Sequence, residues 1–120
     1  MGWDEYRQRR DALKAVLAYA EANPTAALPF GELPQVANVF ADRTELLLAL
    51  QYDWSQALWA RIELLSLDAR LTDADELAQT AWLHCTAQHP VLRRLLDTYR
   101  DELGGATQRE HDMMTSPFVA

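Results

Sequence analysis

A chain of 120 residues that is 49% apolar and 24% charged has the size and content for one hydrophobic core, and it is too apolar for a disordered segment. One cysteine excludes an intramolecular disulfide and a multi-cysteine zinc site, and a net charge of −7 opposes binding to polyanions. The opening Met1-Gly2-Trp3-Asp4-Glu5 lacks the cationic end and apolar run of a secretion signal. Charges interrupt every hydrophobic stretch before the ~18 residues a membrane span needs, so the expected location is cytoplasmic with no membrane contact.

In chain order, Asp4 as an N-cap followed by Tyr6, Leu13, Val16, Leu17 and Ala20 at helical spacing predicts a first helix over 4–22, closed by Asn23-Pro24. Its solvated face carries Arg7, Arg10, Asp11 and Lys14, with Arg7 and Asp11 spaced to pair. Residues 23–33 hold Pro24, Pro29 and Gly31 but also Leu28, Phe30 and Leu33, the pattern of a loop that packs onto the core. Pro34 suits a first helical turn, and Val36, Val39 and Phe40 then give a short helix over 34–40.

Asp42-Arg-Thr-Glu45 is a capping-box pattern, the strongest local signal in the chain. No glycine or proline follows until well past Leu67, and Leu47, Leu50, Trp54, Leu58, Ile62 and Leu65 recur at steps of three and four. Leu46, Leu48, Ala57, Trp59 and Leu64 widen the apolar arc. A central helix over about 43–67 follows, roughly 37 Å long at ~1.5 Å per residue, which the other helices must cover on more than one side. Thr72-Asp-Ala-Asp-Glu76 starts a fourth helix over 73–88, with carboxylates at the positive end of the helix dipole and Leu77, Ala78, Ala81, Trp82 and Cys85 on its apolar face. His89-Pro90 ends it. A fifth helix over 90–103 buries Val91, Leu92, Leu95, Leu96, Tyr99 and Leu103 and stops at Gly104-Gly105. The expected fold is therefore all-α, a bundle of five to six helices around one long central helix. Residues 1–105 form a single helical domain, and 106–120 a C-terminal tail with helix over 106–113 at most.

Recognisable chemistry is scarce. His84 and His89 diverge by about 140° on a helix, and His111 falls in the tail, so no metal set forms locally. Cys85 reads as a small buried hydrophobe rather than as a nucleophile served by His89. Glycine-rich phosphate loops, nucleophile elbows and His-Glu-x-x-His are missing. No catalytic residue, metal ligand or cofactor is assigned, and a non-enzyme is expected. Asp97, Asp101 and Glu102 are accounted for by pairing with Arg93, Arg94 and Arg100, and Asp53 by exposure or an arginine partner. Four tryptophans are many for this length, yet the two halves carry net charges of −3 and −4, which argues against stacking on nucleic acid. Trp54, Trp59, Trp82 and Tyr99 are the candidate ligand-binding or interface residues, with Trp54 and Trp82 at core spacing and Trp59, like Trp3, free to line a groove or an interface.

Val39-Phe-Ala-Asp-Arg-Thr-Glu-Leu-Leu-Leu-Ala-Leu50 resembles the segment of TetR-family regulators in which an aromatic turn leads into a Leu-Leu helix start. Ala-Leu-Lys-Ala-Val-Leu-Ala-Tyr-Ala at 12–20 and Ala-x-His-Pro-x-Leu-x-x-Leu-Leu at 87–96 are similar to that family's first helix and first ligand-domain helices. The resemblance spans residues 7–100 and implies a regulator-like scaffold with a small-ligand pocket between the long helix and the Trp82 and Leu95 helices. It departs between Phe30 and Phe40, where the family's reader needs two helices and this chain offers about ten residues with Pro34 among them, so the DNA-reading part is shortened or lost. Three functions follow: a helical interaction or accessory protein with a protein partner or second copy, a binder of a small apolar ligand, and a TetR-like DNA-binding regulator.

Overall fold

The computed structural model describes residues 2–104, and the chain over them is helical, with no strand. Six helices follow one another: α1 Gly2–Ala22, α2 Pro34–Ala37, α3 Arg43–Leu65, α4 Ala74–Gln88, α5 Pro90–Thr98 and α6 Arg100–Leu103. The tail expected over 106–120 lies outside the described residues. Among the described residues no helix is long and apolar enough to cross a membrane.

The capping box forms at the start of α3. The Glu45 backbone N–H donates to Asp42 Oδ1 at 2.8 Å, and the Glu45 carboxylate reaches back to accept from the N–H of Ala41, one residue earlier than the pattern predicts. Asp42→Ala is expected to cost about 1 kcal/mol and to lower the melting temperature by about 4–8 °C, read by thermal circular dichroism. Asp73 caps α4 in the same way, accepting from the N–H groups of Asp75 and Glu76.

The boundaries differ from the expected ones for local reasons. α1 begins at Gly2, which puts Asp4 inside the first turn beside Glu5, where both complement the dipole rather than cap it. α2 stops at Ala37 instead of 40, so that Phe40 can turn into the core before Asp42 extends into the next cap. α3 ends at Leu65 rather than 67. There the Ser66 hydroxyl donates to the Glu63 carbonyl at 2.6 Å, and Asp68 closes a turn by accepting from the Arg70 N–H, its carboxyl held below the usual range by the Arg70 guanidinium. The fifth helix breaks at Tyr99, leaving α6 as a single turn that buries Leu103 and ends at Gly104, whose φ of 50° favours glycine.

α3 packs most extensively on α4, then on α5 and α6, while α1 packs chiefly on α2 and α5. One cluster joins Leu13, Val16 and Ala20 of α1 with Phe40, Leu46, Leu47, Leu50, Trp54 and Leu58, and with Cys85, Leu92 and Leu96. Leu28 of the 23–33 loop belongs to it, as that loop's apolar residues foretell. Among the described residues, 2–11 of α1 are all exposed, and so is one face of α3. The shorter helices therefore do not wrap the long one completely.

Candidate functional site

The four aromatic candidates occupy three separate places. Trp54 and Trp82 meet between α3 and α4, ring centroids 5.1 Å apart and planes at 75°, an edge-to-face contact. Arg93 of α5 completes this group. Its guanidinium carbon lies 4.6 Å from the Trp54 ring and 4.7 Å from the Trp82 ring, and its Nη2 lies 2.9 Å from Asp97. Arg93 is buried and Asp97 nearly half exposed, so the stem and plane of the arginine fill the interior while its charge finds an acid at the surface. The space where the sequence places a ligand pocket, between the long helix and the Trp82 and Leu95 helices, is thus occupied at Trp54 and Trp82 by a guanidinium.

Tyr99 performs a structural task at the opposite end of α5. Its hydroxyl accepts the Leu28 backbone N–H at 2.7 Å, and the Arg43 guanidinium carbon sits 4.7 Å from its ring centroid. Arg43 in turn makes two 3.0 Å hydrogen bonds to Glu102, so Glu102 pairs across to α3 rather than with an arginine of its own segment. Tyr99→Phe strands the buried Leu28 N–H. The expected cost is about 1–3 kcal/mol, with faster hydrogen exchange at that amide than elsewhere in the loop.

Trp59 stands apart on the outer face of α3. Spacings of four and seven place Leu48, Tyr52 and Trp59 on one side of that helix, and they are 47%, 64% and 39% exposed. Ser55 lies between them on the same face, and Glu45 and Glu63 sit at the two ends, three residues before Leu48 and four after Trp59. The strip is therefore uncharged along its middle, where Ser55 separates Tyr52 from Trp59, with its charges at the ends. Leu48 and Tyr52 are absent from the sequence-derived candidates, although their spacing from Trp59 already carries the signal. Arg93 is also absent, because its i,i+4 acid reads as a surface pair.

The remaining titratable groups form no reactive centre among the described residues. Cys85 is buried, its Sγ donates weakly to the Ala57 carbonyl at 3.6 Å, and burial raises its pKa against a smaller lowering effect of Arg61, so the thiolate is disfavoured. His84 and His89 are exposed, and no three His, Cys, Asp or Glu side chains gather closely enough to hold a metal ion among the described residues. Asp53 lies 3.4 Å from Arg10. Arg7 and Asp11 make no ion pair among the described residues. His111 lies outside them. An open groove of about 450 Å³ runs between α1 and the α4–α5 junction, lined by Lys14, Leu17, Glu21, His89 and Leu92 among others.

No family model, curated protein or solved structure matches this chain.

Proposed function

We propose that this chain is a non-enzymatic helical interaction protein whose contact surface is the outer face of α3. The supporting observation is the strip of Leu48, Tyr52 and Trp59, three large apolar side chains left in water along one helix. Three such side chains on one helix face, framed by acids, are what an interaction surface presents, whereas a lone exposed leucine needs no explanation. Tyrosine and tryptophan supply large contact area at little entropic cost, which makes Tyr52 and Trp59 the natural anchors.

The two alternatives receive less support. A small ligand between Trp54 and Trp82 must displace the Arg93 guanidinium from both rings. A DNA reader of the TetR type needs a helix pair, and between residues 23 and 42 there is one helix of four residues.

The strip variant Tyr52→Ala/Trp59→Ala tests the reading. Both side chains lie outside the buried core, so a change in stability of no more than about 0.5–1 kcal/mol is expected. The wild-type protein should retain a partner, another protein or its own second copy, in affinity capture with light scattering, and the variant should release it. A wild-type chain that is strictly monomeric and holds no partner overturns the proposal.

A further inference from the structure

We infer that the occupant of the α3 strip is a second copy of this chain, which lays the amino-terminal turns of its α1 across the strip while receiving the same contact in return. The inference rests on the reading of α3 above and names its partner. Its first support is a matching uncovered surface on α1. Every residue from 2 to 11 of that helix is exposed, and within it Trp3 and Tyr6 stand 77% and 56% in water. Their rings already pack edge to face at 6.2 Å, so they form one preorganised aromatic knob rather than two scattered side chains.

Area supplies the second argument. Leu48, Tyr52 and Trp59 alone expose on the order of 300 Å² at the usual size of such side chains, well short of the ~800 Å² per partner of a stable interface. Adding Trp3 and Tyr6 raises the total to on the order of 600–700 Å² per copy before any polar rim is counted, which approaches what a dimer requires. Because each copy offers both surfaces once, a two-fold arrangement joins knob to strip twice and closes, leaving neither exposed.

Charge is the third. Four of the eleven cationic residues, Arg7, Arg9, Arg10 and Lys14, fall within eight positions of α1, and with Asp4, Glu5 and Asp11 they leave residues 2–14 at +1 in a chain whose net charge is −7. Glu45 and Glu63 end the strip; within one chain Glu45 already lies 3.9 Å from Arg9, and Asp53 lies 3.4 Å from Arg10, which leaves Glu63 as the acid open to a second copy. Arg7 beside the knob and Glu63 at the end of the strip have no ion-pair partner among the described residues, so new charge pairs can form without breaking old ones. The acidic bodies of two copies repel each other elsewhere, which favours contact through this segment, where cations offset the acids, over other orientations.

Sedimentation velocity of the full chain across the micromolar range tests the inference. The wild-type protein is expected to dimerise. Trp3→Ala/Tyr6→Ala and Tyr52→Ala/Trp59→Ala should each weaken dimerisation about tenfold or more, with helix content retained by circular dichroism. Arg7→Glu, which removes no apolar surface, should weaken it in the same direction, and Leu83→Ala, an exposed leucine of α4 that belongs to neither surface, should leave it unchanged. A monomer throughout the range overturns the inference, as does a dimer that either double variant leaves intact. If that monomer still loses a different protein on Tyr52→Ala/Trp59→Ala, the contact-surface reading survives alone. If the strip variant of a monomer melts far below wild type, the strip is covered from within its own chain, and both readings fall.

Discussion

Trp54→Ala is expected to lower the stability of the fold by about 3–5 kcal/mol, the range for removing a large aromatic from a packed core. Trp54 is the largest fully buried side chain in the described structure and the point at which α3, α4 and α5 meet through Trp82 and Arg93. Its loss leaves Arg93 facing a void on one side, so cavity formation and the loss of a cation–π contact act together. Domains of this size have about 5–15 kcal/mol in total, so the variant melts some tens of degrees lower or is partly unfolded at room temperature. Trp54→Phe separates volume from chemistry. The buried indole Nε1 has no hydrogen-bond partner among the described residues, so phenylalanine removes an unsatisfied donor while keeping most of the aromatic surface. It should cost less than half as much as alanine in urea denaturation. Equal losses for the two variants would mean that the indole ring contributes something packing does not explain.

What the sequence made legible was local. The caps at Asp42 and Asp73, the prolines at 34 and 90 and the glycine at 104 each act within a few residues of themselves, and the helices start or stop near them. The break at Tyr99 has no such marker. It coincides with a hydroxyl bonded to Leu28, 71 positions away, and a ring packed under Arg43, contacts that only the folded chain assembles. Glu102 is as hard to place from sequence for the same reason, since its partner Arg43 lies 59 positions upstream rather than in its own segment. Periodicity also identified the apolar arc of α3 without saying which part is covered. The wide arc called for neighbours on several sides, whereas α1 settles mainly on α2 and α5 and leaves Leu48, Tyr52 and Trp59 in water. A helix wheel separates an apolar face from a polar one; whether the apolar face is buried depends on the number and placement of the other helices.

Arg93 carries the second large effect. Its i,i+4 acid, Asp97, is nearly half exposed, so the ion pair contributes no more than about 1 kcal/mol, and Asp97→Ala should prove mild. The larger share comes from the guanidinium plane held between two indole rings, where it is both a filler and a cation. Arg93→Ala removes both and is expected to cost about 2–4 kcal/mol. Arg93→Met retains an unbranched apolar stem and should cost about 1–2 kcal/mol, the part that belongs to the charge and the planar stack. Lysine is no substitute, because a compact ammonium cannot lie flat against either ring and remains strongly hydrated. A double-mutant cycle with Trp82→Leu isolates the contact: Arg93→Met should lose about 0.5–2 kcal/mol less in the Trp82→Leu background than in the wild type. Full additivity would mean that the guanidinium gains nothing from Trp82, and the cost of Arg93→Met would then belong to its contacts with Trp54 and Asp97.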